Sequence, residues 1–183
     1  MHFREAMSRS KNIFLVGPMG AGKTTIGRQL AKALHLSFVD SDREIELRTG
    51  VSIALIFELE GEAGFRRREQ TIIAELVTAQ GIILATGGGA ILDPANRANL
   101  SSHGYVIYLY AELPQLLERT ARDNKRPLLQ TEDPAARLRE ILAVRDPLYR
   151  EIADMIINTG GLSVRAAIKA ITGQLEAEAV LKD

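Results

Sequence analysis

The stretch GPMGAGKTT, residues 17–25, decides the fold of this chain. It follows the apolar run IFLV at 13–16 and precedes IGRQLAKAL at 26–34, in which apolar residues recur at helical spacing. A strand, a glycine-rich turn and a helix in this order form the context in which the pattern G-x-x-x-x-G-K-[ST] binds phosphate. We therefore predict a phosphate-binding loop at 17–24. The residues that satisfy the pattern are Gly17, Gly22, Lys23 and Thr24.

The chemistry of this loop suits a nucleoside triphosphate. Glycines let successive backbone N–H groups turn inward, and the start of the following helix adds partial positive charge. Lys23 is expected to reach the β- and γ-phosphates and the Thr24 hydroxyl to bind Mg²⁺. A glycine-rich turn can also serve packing alone, but the full pattern in context favours phosphate. The expected nucleotide-binding positions are Gly20, Ala21, Gly22, Lys23, Thr24 and Thr25, of which Thr25 fits a helix residue better than a second ligand.

The composition indicates one globular domain without thiol chemistry. The chain has 183 residues, is 46% hydrophobic and carries 23 basic and 23 acidic residues. Balanced charge creates no overall field toward nucleic acid or an anionic membrane, and the absence of cysteine excludes disulfides and thiolate metal sites. The first residues lack the apolar core of a signal peptide, and no apolar run reaches membrane-spanning length. We expect a flexible tail at 1–11, a single domain at 12–183 and a cytoplasmic location.

Short apolar runs alternate with longer segments of helical spacing. This alternation is typical of an α/β fold, and runs such as IILA at 82–85 suit strands of a parallel sheet that is buried on both faces. The segment RDNKRPLLQTEDP at 122–134 is polar and contains two prolines, so we expect a surface loop between two helices that acts as a mobile lid. The predicted strands are 13–17, 37–40, 82–86, 105–110 and 155–158.

The phosphate-binding loop leaves three classes of protein open, namely a small-molecule kinase, a nucleotide switch or motor, and a binding module without catalysis. A guanine-reading switch carries N-K-x-D after a strand, whereas residues 124–127 read NKRP and fall in the lid segment. A motor would end a strand in an acidic pair, whereas the third strand runs into ATGGG. A kinase needs an acceptor pocket beside the γ-phosphate, where the carboxyl ends of parallel strands meet.

Residues suited to such a pocket follow two of the strands. After the second strand, Asp40 and Asp42 are suited to a metal held through water and to an acceptor hydroxyl, although Ser41 or Asp42 is alternatively the cap of the next helix. After the third strand, the glycines at 87–89 indicate either close approach to a ligand or a strained turn.

Arginines complete the inventory of the pocket. Arg66 follows an apolar residue near the start of a helix that opens at 61, and the next two arginines point elsewhere because helical residues differ by about 100°. Arg126 lies in the lid segment and Arg145 in VRDPLYR. Because an arginine pair binds a carboxylate well, an acceptor with hydroxyls and a carboxylate would fit.

Together these segments resemble the shikimate kinase family. The resemblance runs from about residue 12 to about 171, with its motifs in the family's order. Gluconate kinase and the nucleoside monophosphate kinases share the phosphate-binding loop and the architecture but do not carry these acceptor segments in this order. The motifs are GPMGAGKTTIGRQLA at 17–31, FVDSDREIE at 38–46, IFELEGEAGFRRRE at 56–69, ILATGGGA at 83–90, NKRPLL at 124–129 and RDPLYREIAD at 145–154.

The resemblance implies a P-loop, nucleoside monophosphate kinase-like three-layer fold with a five-stranded parallel sheet. It implies a monomer that uses Mg²⁺ and transfers the γ-phosphoryl group of ATP to the 3-hydroxyl of shikimate, in aromatic amino-acid biosynthesis.

By motif position, the resemblance also implies roles for individual residues. The implied catalytic residues are Lys23, Asp42 and Arg126, with Arg126 closing over the phosphates from the lid. Arg119 is implied near adenine, and Asp40 would hold Mg²⁺ through water beside Thr24. The implied shikimate-binding residues are Asp42, Arg66, Gly87, Gly88, Gly89 and Arg145.

Overall fold

Five parallel strands form one sheet in the computed structural model, which describes residues 12–122 and 129–178. The strands are β1 Ile13–Val16, β2 Ser37–Asp40, β3 Ile82–Ala85, β4 Tyr105–Tyr110 and β5 Met155–Asn158. The helices within these ranges are α1 Lys23–Leu34, α2 Ser41–Thr49, α3 Ile53–Leu76, α4 Pro94–His103, α5 Leu113–Ala121, α6 Pro134–Ile152 and α7 Val164–Ala177, with a 3₁₀ turn at Ala90–Leu92.

The strand order is β2-β3-β1-β4-β5, so β1 lies at the centre of the sheet. The predicted five-stranded parallel sheet is confirmed. Three strands have the predicted bounds, whereas β1 and β3 end one residue earlier than predicted, at Val16 and Ala85. The residues that follow, Gly17 and Thr86, already belong to the loops that leave the sheet.

Helices cover both faces of the sheet and form a three-layer structure. Alternate residues of β1 point to opposite faces, and all four are buried. Ile13 and Leu15 pack in a core with residues of α1, α5 and α7, whereas Phe14 and Val16 pack in a second core with residues of α3 and α4. An apolar run buried on both faces is what a central parallel strand requires.

Helix α3 carries a kink that divides it into two parts. Gly61 has φ 70° and ψ −179°, outside the helical region, and a second helical part follows it. The sequence predicted a helix opening at 61, and a second helical segment does begin directly after the non-helical Gly61. The second part contains Arg66, five residues beyond the kink.

The lid segment lies only partly within the described residues. Helix α5 ends at Ala121, and α6 begins at Pro134 with the Asp133 side chain accepting a hydrogen bond from Ala136 N at 3.0 Å. Residues 123–128, including Arg126, lie outside the described residues. Among the helices of residues 12–122 and 129–178, none combines the length and apolar content that crossing a membrane needs.

Asn12 joins the end of α3 to the start of β3. Its buried side chain donates to the Ala79 carbonyl at 2.7 Å and accepts from Ile82 N at 3.1 Å. Because Asn12→Ala leaves both backbone groups unpaired, we expect the free energy of unfolding to fall by about 1–3 kcal/mol. Urea denaturation measures this change. Asn99→Ala, a half-buried position on α4, is the control, and an equal loss in both variants would contradict the role of Asn12.

Candidate active site

The phosphate-binding loop emerges from β1 between the ends of its two neighbouring strands. Gly17 has φ 148°, and a Cβ at this position would lie 2.5 Å from the Leu109 carbonyl oxygen of β4. A side chain is therefore excluded at Gly17 by both the backbone conformation and the available space. Gly22, with φ 96°, precedes α1, and its carbonyl accepts the first helical hydrogen bond from Ile26 N at 2.8 Å.

The Lys23 side chain folds back over the loop. Its ammonium donates to the carbonyls of Gly17 at 2.6 Å and Pro18 at 2.9 Å. The lysine charge is therefore oriented by the loop itself, and the alternative of a solvated surface lysine does not describe this arrangement. Thr25 is exposed on α1, as a helix residue would be.

Asp40 connects the phosphate-binding loop to the next helix. The Thr24 hydroxyl donates to Asp40 Oδ2 at 2.8 Å, and Asp40 Oδ1 accepts from the backbone N–H groups of Asp42 at 3.0 Å and Arg43 at 3.2 Å. The cap of α2 is thus Asp40, and the alternative of a cap at Ser41 or Asp42 is wrong. Ser41 instead accepts a buried hydrogen bond from Gly87 N at 3.1 Å, which joins the ends of β2 and β3.

The three consecutive glycines give space to charged side chains. A Cβ on Gly87 would lie 2.7 Å from Asp42 Oδ1 and 2.9 Å from Glu69 Oε2, and a Cβ on Gly89 would collide with the Arg66 guanidinium. Of the described glycines with positive φ, none belongs to this trio. Close approach therefore explains the glycines better than a strained turn, and the groups that approach are side chains of the protein.

Two arginines and two carboxylates gather around these glycines. Arg66 donates to Glu69 Oε1 at 2.8 Å and to Glu62 Oε1 at 3.2 Å, and its guanidinium lies 5.2 Å from the centre of the Phe65 ring. Arg145, from α6, is 5% exposed. We call Asp42, Arg66, Glu69, Gly87, Gly88, Gly89 and Arg145 the acceptor cluster.

Burial sets the protonation behaviour of this cluster. Glu69 is 1% exposed, and burial raises its pKa to about 7, with Asp42 adding to the rise and Arg66 and Arg145 opposing it. Burial also lowers the pKa of Arg145, and the neighbouring charge of Arg66 contributes to this shift. The cluster therefore concentrates charge in a region with little water, where electrostatic interactions are strong.

The acceptor cluster meets the phosphate-binding loop at Gly88. A Cβ on Gly88 would lie 3.5 Å from each of three atoms, which are Arg145 Nη1, the Gly17 carbonyl oxygen and Met19 N. Gly88 thus lies close to both an arginine of the cluster and the backbone of the loop. The structure brings the two predicted halves of the site together.

Arg119 lies on the other side of the phosphate-binding loop. It donates to the Gly20 carbonyl at 3.0 Å and to the Thr159 carbonyl at 3.1 Å, and the buried Thr159 hydroxyl lies 3.1 Å from the Ala21 carbonyl oxygen. The arginine therefore links this loop to the loop that follows β5. Sequence reasoning named no residue in that second loop.

Two residues of the site were missed by sequence reasoning. Glu69 follows Arg66 by three residues on one helix, and this spacing places both side chains on the same face. The sequence could therefore have predicted the Arg66–Glu69 pair. The Tyr149 hydroxyl donates to the Gly88 carbonyl at 2.5 Å, and no local pattern in the sequence predicts this contact, because it spans 61 residues.

A groove of about 730 Å³ near Arg48 and Arg68 contains none of the predicted site residues.

The comparisons with known proteins agree with one another. The family model described as shikimate kinase matches residues 19–176. A shikimate kinase of Thioalkalivibrio sulfidiphilus is 59% identical over 166 residues, which cover 91% of this chain and 87% of the relative. A shikimate kinase of Methylococcus capsulatus is 56% identical over 170 residues, which cover 93% of this chain and 95% of the relative.

Solved structures give the same result. Shikimate kinase from Acinetobacter baumannii in complex with shikimate has a TM-score of 0.89 and 48% identity, covering 96% of this chain and 97% of that one. A gluconokinase from Sinorhizobium meliloti has a TM-score of 0.60 and 16% identity over 96% of this chain and 99% of that one, which shows a shared fold alone.

Glu69 should make stability depend on pH in the absence of ligands. Its folded pKa of about 7 lies above the ordinary 4.5, so the folded chain binds the proton more tightly than the unfolded chain. This stabilisation is complete below the ordinary pKa and is lost as pH rises through 7. Between these values, we expect the unfolding free energy of the wild type to fall by about 1–3 kcal/mol relative to Glu69→Gln.

Urea denaturation at several pH values measures the difference in unfolding free energy between the wild type and Glu69→Gln. The contributions of other titrating groups cancel because both proteins contain them. Glu58→Gln, an exposed change on the same helix, is the control and should follow the wild-type profile. Parallel profiles for the wild type and Glu69→Gln would contradict the shifted pKa.

Proposed function

The chain belongs to the shikimate kinase family, and from this membership we propose how its own residues carry out the reaction. The reaction is transfer of the γ-phosphoryl group of ATP to the 3-hydroxyl of shikimate, which gives shikimate 3-phosphate and ADP in the pathway to aromatic amino acids.

The observation that carries the residue assignment is the position of Gly88. It lies against Arg145 of the acceptor cluster and against the backbone of the phosphate-binding loop, at Gly17 and Met19. An acceptor bound to the cluster is thereby beside a phosphate bound to the loop. Phosphoryl transfer depends mainly on such positioning and on neutralising charge, so adjacency of the two sites is the main structural requirement.

On the nucleotide side, the backbone N–H groups from Gly20 to Gly22 and the start of α1 bind the phosphates. Lys23 leaves its loop carbonyls to pair with the β- and γ-phosphates, and Arg119 supports the loop on the side where adenine binds. The assignment of adenine to this side rests on the family resemblance.

The oxygens of Thr24 and Asp40 fit a magnesium ion. They are a hydroxyl and a carboxylate 2.8 Å apart beside the phosphate-binding loop, and Mg²⁺ prefers such oxygens together with phosphate and water. Thr24 would bind the ion directly and Asp40 through water. The ion supplies positive charge that offsets the charge of the phosphate oxygens.

On the acceptor side, Arg66 and Arg145 bind the shikimate carboxylate. Arg145 is buried and Arg66 is half-buried, which strengthens their charge-assisted hydrogen bonds, and Glu69 accepts a hydrogen bond from Arg66. Asp42 binds ring hydroxyls and accepts the proton of the attacking hydroxyl. Gly87 and Gly89 leave room for the Asp42 and Arg66 side chains that meet the acceptor, and Gly88 offers it a backbone contact. Because Arg66 and Arg145 hold the carboxylate at one end of the shikimate ring, they determine which ring hydroxyl faces the γ-phosphate.

From the family resemblance, Arg126 is expected to cover the phosphates and the chain to act as a monomer. A cytoplasmic location is expected from the composition of the sequence.

Asp42→Asn tests the assignment of the proton acceptor. Because the amide cannot accept the proton, we expect kcat with shikimate to fall by about 10²–10⁴-fold while ATP affinity stays unchanged. ADP release measures the rate, with gluconate and AMP as alternative acceptors that should stay near background. A normal rate in Asp42→Asn would refute the role of Asp42, and strong turnover with another acceptor would refute the substrate.

Neighbouring arginines on α3 provide a matched test of carboxylate binding. Arg66 belongs to the acceptor cluster, whereas Arg67 is exposed. We expect Arg66→Ala to raise KM for shikimate by about 10- to 100-fold, because a charged hydrogen-bonding partner is lost. Arg67→Ala should leave KM for both substrates unchanged. An equal effect of the two substitutions would mean that general charge, and not the Arg66 contact, determines affinity.

A further inference from the structure

Tyr149 makes a buried contact with the glycine segment of the acceptor cluster. Its side chain is 1% exposed, and its hydroxyl donates to the Gly88 carbonyl at 2.5 Å. Burial raises the pKa of this hydroxyl, although Arg145 and Arg66 oppose the shift. The hydroxyl therefore keeps its proton in the physiological range and serves as a donor to the carbonyl.

This contact acts on the middle peptide of a glycine segment that is held on both sides. Gly87 is held by Ser41 and Ala90 N, and the Gly89 carbonyl accepts from Leu92 N at 3.1 Å. Because successive glycines have wide freedom in φ and ψ, the bond from Tyr149 adds the restraint on the Gly88 carbonyl between them. The Gly88 carbonyl and the Gly89 N–H belong to one planar peptide unit. By holding the carbonyl, Tyr149 also sets the direction of that N–H group.

Arg145 precedes Tyr149 by four residues on α6, a spacing that places both side chains on the same face of the helix. The Tyr149 ring packs against the Tyr108 ring with centres 4.9 Å apart, and the Tyr108 hydroxyl donates to Asp146 at 2.6 Å. One turn of α6 therefore contacts β4 through Tyr108 and the glycine segment through the Gly88 carbonyl.

We propose that Tyr149 is a positioning residue for the acceptor, which holds the Gly88 peptide beside Arg145 in the arrangement that binds shikimate. The proposal rests on the proposed function for the identity of the acceptor. Because its side chain is 1% exposed, Tyr149 acts on the acceptor through the Gly88 peptide that it holds.

Tyr149→Phe removes the hydroxyl and keeps the ring. Because the buried Gly88 carbonyl loses its partner, we expect the affinity for shikimate to fall about tenfold, with KM for ATP changed by less than about twofold. Calorimetric titration with shikimate and steady-state kinetics measure the two effects. Deuterium uptake in peptides covering residues 86–92 should be faster in the variant without any ligand.

Tyr108→Phe is the matched control, because it removes a buried hydroxyl from the same ring pair but one bonded to Asp146. It should leave shikimate affinity and uptake at 86–92 as in the wild type. Equal losses in both variants would show a general packing role, and wild-type behaviour of Tyr149→Phe would also overturn the proposal. If the wild type failed to phosphorylate shikimate, the proposed function would fail, whereas deuterium uptake would still decide whether Tyr149 holds the glycine segment.

Discussion

The pairing of β1 between β3 and β4 is the constraint on which the site depends. Because β1 is buried on both faces, the chain that follows it reaches the surface only at the carboxyl end of the strand. The carboxyl ends of the neighbouring parallel strands lie at the same edge of the sheet. Gly17 then passes within contact distance of the Leu109 carbonyl, and the glycines after β3 lie beside the phosphate-binding loop. Sheet topology therefore brings together the residues that we propose to bind nucleotide and acceptor, before any specific side chain contributes.

Burying the charged groups of the acceptor cluster beside that edge of the sheet costs free energy. Isolated buried charges are unfavourable, and the pKa shifts of Glu69 and Arg145 express this cost. Arg66 and Glu69 offset part of it by pairing at 2.8 Å, and Ser41 and Tyr149 fix the backbone of the glycine segment between them. A substrate carboxylate that meets such a preformed site loses less free energy to reorganisation than one that must assemble it.

Sequence alone predicted the features that local pattern determines. The phosphate-binding loop and the five strands follow from spacing and residue type over a few positions. The pattern could not separate close approach from strain at the three glycines, because the approaching groups come from α2 and α3. Asp40 caps α2 because its carboxylate accepts from two backbone N–H groups, a geometry that the sequence alone did not indicate. The role of Tyr149 could not be predicted, because its partner Gly88 lies 61 residues away in the chain.

A crystal structure of the chain with shikimate and a non-hydrolysable ATP analogue tests the adjacency of the two sites most directly. We expect the shikimate carboxylate on Arg66 and Arg145, and the 3-hydroxyl between Asp42 and the terminal phosphate, with Gly88 alongside. A shikimate molecule bound elsewhere, or a terminal phosphate separated from the acceptor cluster by a layer of protein, would contradict the central claim.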